Sequence, residues 1–175
     1  MAFRDSLKQQ KFYNIRDKIG TAFNIVFENT EQFTSINRDF TKDGLKDFLA
    51  NLQTNTQSAL DIDTWCLDHA SDSKDIKALE MDILTIYLGQ YQQKWQDILS
   101  ALTPKQYFNK DGMLHELQIL SSVENPLNTL IKIISDNTDL NDALLLNDAY
   151  SLGLPSSDIK TKFVTISNYF KPYYD

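Results

Sequence analysis

Apolar residues in this chain recur mostly at helical spacing. In "IYLGQYQQKWQDIL", Ile86 to Leu99, the rings of Tyr87, Tyr91 and Trp95 return every fourth residue, which sets them on one side of an α-helix. At about 100° per residue, Ile83, Tyr87, Tyr91, Ile98 and Leu102 share a face. Leu84 and Trp95 lie at its edge, and Gln92, Gln93 and Gln96 lie opposite. Large rings gain most by leaving water, so the stripe reads as helical core in preference to a ligand platform.

The same reading predicts the other elements. A first helix covers Asp5 to about Ile19, with Leu7, Phe12 and Ile15 among its apolar residues. "TAFNIVFENT" reads as a strand or an extended connector. In "FTKDGLKDFLANL", Thr41 is the N-cap, accepting from N–H groups near Asp43 and Gly44. Leu45, Phe48, Leu49 and Leu52 form the stripe of that helix, which continues to Trp65 and Leu67. Ser73 caps a long helix from Lys74 to Leu102, which Pro104 ends. "DGMLHELQILSSV" predicts a short helix with Leu114, Leu117 and Leu120 inward. Asn125 and Pro126 start the next, whose buried face is Leu127, Leu130, Ile131 and Ile134. "NDALLLNDAY" is helical or irregular, and "GLP" breaks it. Ser156 or Ser157 caps a last helix that stops before Pro172. The sum is an all-α, bundle-like fold with one short extended segment near the N-terminus. Residues 1–175 read as a single domain, with 1–40 as N-terminal helix and connector and 41–175 as helical core.

Composition narrows the function classes. With 42% apolar and 11% aromatic residues in 175, the chain can bury a real core. Its net charge of −7 repels phosphate backbones and anionic lipid surfaces, which argues against direct nucleic-acid binding. No apolar run is long enough to span a bilayer, and "MAFRDSLKQQKF" is too polar for a secretory signal peptide. The single cysteine, Cys66, allows no internal disulfide.

The search for chemistry returns negatives. There is no Gly-rich phosphate loop and no dinucleotide fingerprint. His69 and His115 stand apart, outside any metal-ligand pattern. Cys66, between Trp65 and Leu67, reads as a small buried hydrophobe. Asp61, Asp63, Asp68, Asp72 and Asp75 lack the glycine and terminal glutamate of a calcium loop. "SDSK" (Ser71 to Lys74) and "SDN" (Ser135 to Asn137) match two of the three serine β-lactamase elements. The third, K-T-G on a strand, is missing, and "KTK" at Lys160 to Lys162 is no substitute. No catalytic, cofactor-binding or metal residue is assigned, no cofactor is expected, and the partner-binding surface is not readable.

Five stretches, "FTKDGL", "DTWCLD", "IYLGQYQQKWQDIL", "ENPLNTLIKIISDNTDL" and "ISNYFKPYYD", in this order and spacing, resemble the periplasmic helical region of the IcmF/TssM family. Those are large inner-membrane components of bacterial type VI secretion systems, with a relative in the Dot/Icm type IV system. Phe40, Thr41 and Gly44 resemble the family's aromatic-Thr-x-x-Gly helix start. Trp65 and Leu67 match its Trp-Val-Leu-Gly, from which Cys66 and Asp68 depart. Tyr87, Tyr91 and Trp95 match its Tyr-x-x-x-Tyr-x-x-x-Trp, with Gln90 where aspartate is common. Pro126 and Leu127 match its Ser-Pro-Leu-Arg, with Asn125 and Asn128 in place of serine and arginine. Ile166 and Phe170 match the ends of Val-Asp-Arg-x-Phe, whose charged centre is replaced by Ser167 and Asn168. The likeness runs from about Ile19 to Asp175 and marks a divergent branch.

In the family, transmembrane helices and a cytoplasmic nucleotide-binding-like domain precede this region, and a β-rich domain that docks an outer-membrane lipoprotein follows. The resemblance therefore implies an excised middle piece whose matched positions are core and cap residues. It implies a non-enzymatic periplasmic scaffold of a secretion membrane complex. Its partners would be other complex subunits and copies of itself: the lipoprotein through the downstream domain, and a small inner-membrane partner through the parent protein. The alternative is a free-standing helical adaptor of the cytosol. An enzyme has only the β-lactamase-like decoy in its favour.

Overall fold

The computed structural model describes residues 12–28, 34–67, 73–123 and 125–175. These are predominantly helical, with one two-stranded ribbon. Strand β1 (Phe12–Asn14) pairs antiparallel with β2 (Ser35–Asn37), Tyr13 opposite Ile36. The Ile15 N–H extends the ladder to the Thr34 carbonyl at 2.8 Å. The helix expected from Asp5 is thus broken. Only α1 (Ile15–Ile19) is helical, and the part before Phe12 lies outside the described residues. Asn14 is the reason, since its side chain accepts from the Asp17 N–H and so sets the helix start there. "TAFNIVFENT" also departs from expectation. Phe23–Val26 makes one helical turn, α2, and Phe27 is bridged to Pro104. Coiling lets Phe23, Val26 and Phe27 bury together, the two rings 5.1 Å apart.

A 3-10 turn, Arg38–Phe40, leads into α3 (Lys42–Leu67). Thr41 caps it as expected. Its Oγ1 accepts from the Gly44 N–H at 3.2 Å and donates to the Arg38 carbonyl at 2.7 Å. Leu45, Leu49 and Leu52 are buried, with Phe48 half-buried beside them. Helix α4 (Ser73–Ala101) begins with Ser73 inside the helix, not as its cap. It returns along α3, and the Phe48 and Tyr87 rings stack at 3.9 Å and 8°. Its buried stripe is Leu84, Tyr87, Leu88, Tyr91, Trp95 and Ile98. Leu84 and Trp95 therefore lie at the centre, while Ile83 and Leu102 are half-buried. The stripe is rotated because α4 is covered both by α3 and by the turn that precedes it.

Beyond Ala101 the chain runs back over α2, with Glu28 N–H on the Thr103 carbonyl (2.9 Å) and Lys105 N–H on that of Val26 (2.8 Å). Asn109 caps α5 (Lys110–Leu120). Its expected inward face is corrected. Leu114 and Leu117 are exposed, and the half-buried residues are Ile119 and Leu120, because α6 covers one side of the helix only. Helix α6 (Pro126–Thr138) starts as expected, Asn125 accepting from the Leu127 N–H at 2.8 Å with Pro126 in the first turn. Leu130 and Ile134 are buried and Leu127 is half-buried, but Ile131 is exposed and Ile133 takes its place. The stripe runs on through the buried Asn137 and Thr138, positions that an apolar-only pattern passes over.

Helix α7 (Ala143–Ser151) ends at Leu152, and Gly153 turns the chain at φ 69°. Helix α8 (Ser156–Phe170) is capped by neither serine. Pro155 occupies the cap, and its carbonyl receives the N–H groups of Asp158 and Ile159. Pro172 falls in a 3-10 turn, Lys171–Tyr173. Leu145, Ala149, Ile159, Phe163, Ile166 and Phe170 join the cluster formed by α3, α4 and α6.

Two glycines give opposite expectations. A Cβ on Gly44 would stand 2.2 Å from the Arg38 carbonyl oxygen and 2.7 Å from the Asp39 backbone. Gly44→Ala should therefore destabilise by about 1–3 kcal/mol, the range for overpacking. A Cβ on Gly89, in the middle of α4, meets nothing within 4 Å. Gly89→Ala should stabilise by about 1 kcal/mol through helix propensity. Urea midpoints of the two variants check both signs.

Candidate functional site

The polar groups buried at the centre of the molecule form one arrangement. The Trp95 indole N–H donates to the Phe40 carbonyl at 2.8 Å. Tyr91 Oη donates to the Asn137 carbonyl at 2.6 Å, and Tyr87 Oη donates to the Asp39 carbonyl. One face of α4 thus holds the turn that opens α3 and the last turn of α6. Asn137 closes the third side. Its Oδ1 accepts from the Lys42 N–H at 3.2 Å, and its Nδ2 donates to the Ile133 carbonyl at 2.9 Å. Gly44 allows this geometry, because only a residue without Cβ lets α3 approach the Arg38–Asp39 backbone so closely. The four-residue ring spacing places three donors one helical turn apart, so each meets a main-chain carbonyl of a neighbouring element.

Burial sets the electrostatics. It pushes the Tyr91 hydroxyl well above the usual tyrosine range, with Tyr87 beside it adding to the effect. Burial also raises Tyr87, and the carboxylates of Asp39 and Asp47 act in the same direction. At the rim, Lys42 Nζ donates to the Asp139 carbonyl at 3.0 Å and pairs with Asp142 at 3.2 Å. The Asp142 carboxyl is held below the usual carboxylate range, first by the Leu144 N–H and then by Lys42.

A second buried group escaped the sequence reading. Glu80 is fully buried on the α4 stripe. Lys77 Nζ donates to its Oε2 at 2.8 Å and to the Leu152 carbonyl at 2.7 Å, pinning the α7–α8 turn to α4. The spacing of 80, 84, 87 and 91 was its available signal, overlooked because a glutamate reads as surface.

None of the sequence candidates converge. His115 is exposed on α5, and Asp75 is exposed near the start of α4. Ser135, Asp136 and Asn137 belong to α6, and Asn137 is engaged in the arrangement above. Lys160 to Lys162 is part of α8, a helix and not a strand. Asp61, Asp63, Trp65 and Cys66 fall in the last turns of α3, and their side chains lie outside the described part. Asp68, His69, Ser71 and Asp72 lie outside the described residues altogether. Among the described residues, no group of three or more His, Cys, Asp or Glu is placed to hold a metal. No helix there is long and apolar enough to cross a membrane. A groove of about 750 Å³ lies between the β-ribbon and the last turns of α4, lined in part by Phe12, Ile36, Phe40, Lys94 and Asp97. The only charged side chains among its lining residues are this one lysine and one aspartate.

Residues 2–139 match the family model described as IcmF-related, intracellular multiplication and human macrophage-killing. The match begins before Ile19, where the resemblance was expected to start, and stops before "ISNYFKPYYD". It takes in Thr41, Gly44, the three α4 aromatics and Asn137. A curated relative, the type VI secretion system component TssM1 of Pseudomonas aeruginosa strain PAO1, is 26% identical over 102 residues. That alignment covers 58% of this chain and 9% of the relative. No solved structure matches the chain.

Two expectations follow from the buried arrangement. Trp95→Ala should cost about 3–5 kcal/mol, the range for deleting a large core aromatic. Trp95→Phe should cost less while still leaving the Phe40 carbonyl without its donor. Chemical denaturation of both variants measures this, and an unchanged midpoint for Trp95→Ala would return the rings to a ligand platform. The pH dependence has two limbs. Tyr87 and Tyr91 have raised folded-state values, so their contribution is complete below the unfolded value of about 10. It is lost as pH rises past that point, because the unfolded chain releases those protons first. Asp142 has a lowered value, so its contribution is present above about 4 and is lost as pH falls. Urea titrations across pH should show Tyr91→Phe flattening the alkaline limb and Asp142→Asn flattening the acid one.

Proposed function

This chain belongs to the IcmF-related family, and on that footing we propose that it is a non-enzymatic scaffold module of a bacterial secretion-system membrane complex. It holds periplasmic parts of an envelope-spanning assembly at a fixed spacing. The observation that carries this reading is the use to which the family-matched residues are put. Thr41 and Gly44 shape the start of α3, while Tyr87, Tyr91 and Trp95 fasten it to α4 and α6. These side chains spend their polar groups on the chain's own backbone, where they are not available to a substrate. TssM1 carries a type VI secretion name, which favours that branch over the type IV one. Its partners are other subunits of the complex, reached largely through the rest of the parent protein, since the aligned part is a small fraction of the relative's length.

The test is an in-frame deletion of this region from the parent protein, with complex assembly and secretion both measured. Deletion should abolish assembly. A variant with Cys66, His69, Ser71 and His115 all replaced by alanine should assemble and secrete normally if it folds. A folded variant that assembles but cannot secrete would point to chemistry, not scaffolding.

A further inference from the structure

We propose that the groove between the β-ribbon and the last turns of α4 takes an extended segment of another protein chain, which pairs with the free edge of β2 and sets a carboxylate against Lys94. Ser35, Ile36 and Asn37 all line the groove. Consecutive strand side chains alternate between faces, so three in a row reach one groove only where it runs along the strand's edge. β1 holds the other edge. Within the ribbon, Ile15 with Thr34 and Tyr13 with Ile36 are the pairs that exchange main-chain bonds. Ser35 and Asn37 fall on the alternate positions, so their N–H groups and the Ser35 carbonyl point away from β1. The Asn37 carbonyl opens the 3-10 turn that follows. The outward groups of Ser35 and Asn37 N–H have no hydrogen-bond partner among the described residues. Such an edge is a template for a further strand.

Backbone and charge together define the occupant. A helix spends its own N–H and C=O groups internally and has none to offer Ser35 and Asn37, so the occupant is extended. Across the slot, Phe40, Ile98 and Ala101 make an apolar floor, and Phe12, 58% exposed, stands at the ribbon's end. A volume of about 750 Å³ is within the range of ligand sites. Lys94 and Asp97 are the charged side chains of the lining. Asp97 Oδ1 already accepts from Gln93 Nε2 at 2.8 Å, whereas Lys94 has no ionic partner among the described residues. The open charge of the groove is therefore positive, on a chain whose net charge is −7, and it selects an acid. An extended segment with an apolar side chain for the floor and a carboxylate further along the same row meets each of these groups. Main-chain bonds supply its affinity and the alternate side chains its selectivity. This extends the scaffold reading to how a neighbouring subunit is gripped, and rests on it for the segment's source but not for the test.

The probe is a capped heptapeptide of alternating valine and threonine in which glutamate replaces the last valine. Amide NMR of the 175-residue chain should show it binding with Kd on the order of 100 µM and shifting the Ser35 and Asn37 signals. In the free chain those two amides should exchange quickly with solvent, while the Ile36 amide, paired within the ribbon, is protected. N-methylation of the peptide amides that face β2 should weaken binding at least tenfold, since each main-chain bond is worth about threefold to tenfold. Ser35→Pro removes an outward N–H and no ribbon bond, so it should keep the thermal midpoint and weaken binding likewise. Lys94→Glu should turn the preference toward a lysine-ended peptide by about threefold to fivefold, the range of an exposed ion pair. No binding at about 1 mM peptide, well above that Kd, would overturn the proposal. So would an N-methylated peptide that binds equally well, or a folded Lys94→Glu protein with unchanged preference. Protected Ser35 and Asn37 amides in the free chain would overturn it in favour of the chain's own residues. Concentration-dependent shifts there without peptide would overturn it in favour of a second copy. Any of these alongside lost assembly in the deletion strain would leave the scaffold reading standing.

Discussion

The structure depends on the pairing of three ring donors with three main-chain carbonyls. Leaving the buried Asn137 carbonyl unpaired would cost about 1–3 kcal/mol, and the part-buried Asp39 and Phe40 carbonyls less. Tyr87, Tyr91 and Trp95 meet those carbonyls from one face of one helix, and Trp95 and Tyr91 are also the largest fully buried side chains described. The same side chains therefore exclude water and satisfy the backbone that exclusion would strand. Thr41, Gly44 and Asn137 are the matching half, since each lets backbone approach or end where the rings need it.

Much of this was legible in the sequence, and the rest has identifiable causes. The helices of the centre were readable because the period of their apolar residues is long and regular. Thr41 and the Asn125–Pro126 pair were readable because capping is local chemistry. What the rings hold was not readable, because a carbonyl's partner depends on contacts 46 to 55 residues apart. The α6 face was misplaced by one step because Asn137 and Thr138 are polar yet buried. Within the expected N-terminal helix, Phe12–Asn14 is a strand because β2 offers it a partner that no local pattern encodes, while Ile15–Ile19 is helical. Leu114 and Leu117 failed for the opposite reason: their pattern is amphipathic, but no neighbour among the described residues covers that side.

Among the described residues, Lys42 pairs with Asp142 and Lys77 with the buried Glu80, while Tyr87 and Tyr91 bond main-chain carbonyls. Nothing there brings a nucleophile, a base and an orienting group together. The family-matched positions concentrate on the buried joints of the molecule, while α5 carries its unsatisfied apolar face outward.

The tie between residues 24–28 and 103–107 has a consequence for the order of folding. Tyr107 and Ile25, joined by a 3.0 Å hydrogen bond, are 82 residues apart, a costly loop to close in an open chain, although the entropy grows only with the logarithm of length. Once α4 has folded back on α3 and Trp95 has reached Phe40, that span is short-circuited. Only the brief stretches from Phe40 back to Ile25 and from Trp95 on to Tyr107 remain to be arranged. Loop-closure entropy therefore favours forming the α3–α4 hairpin before the β-ribbon and the tie across α2 settle onto it.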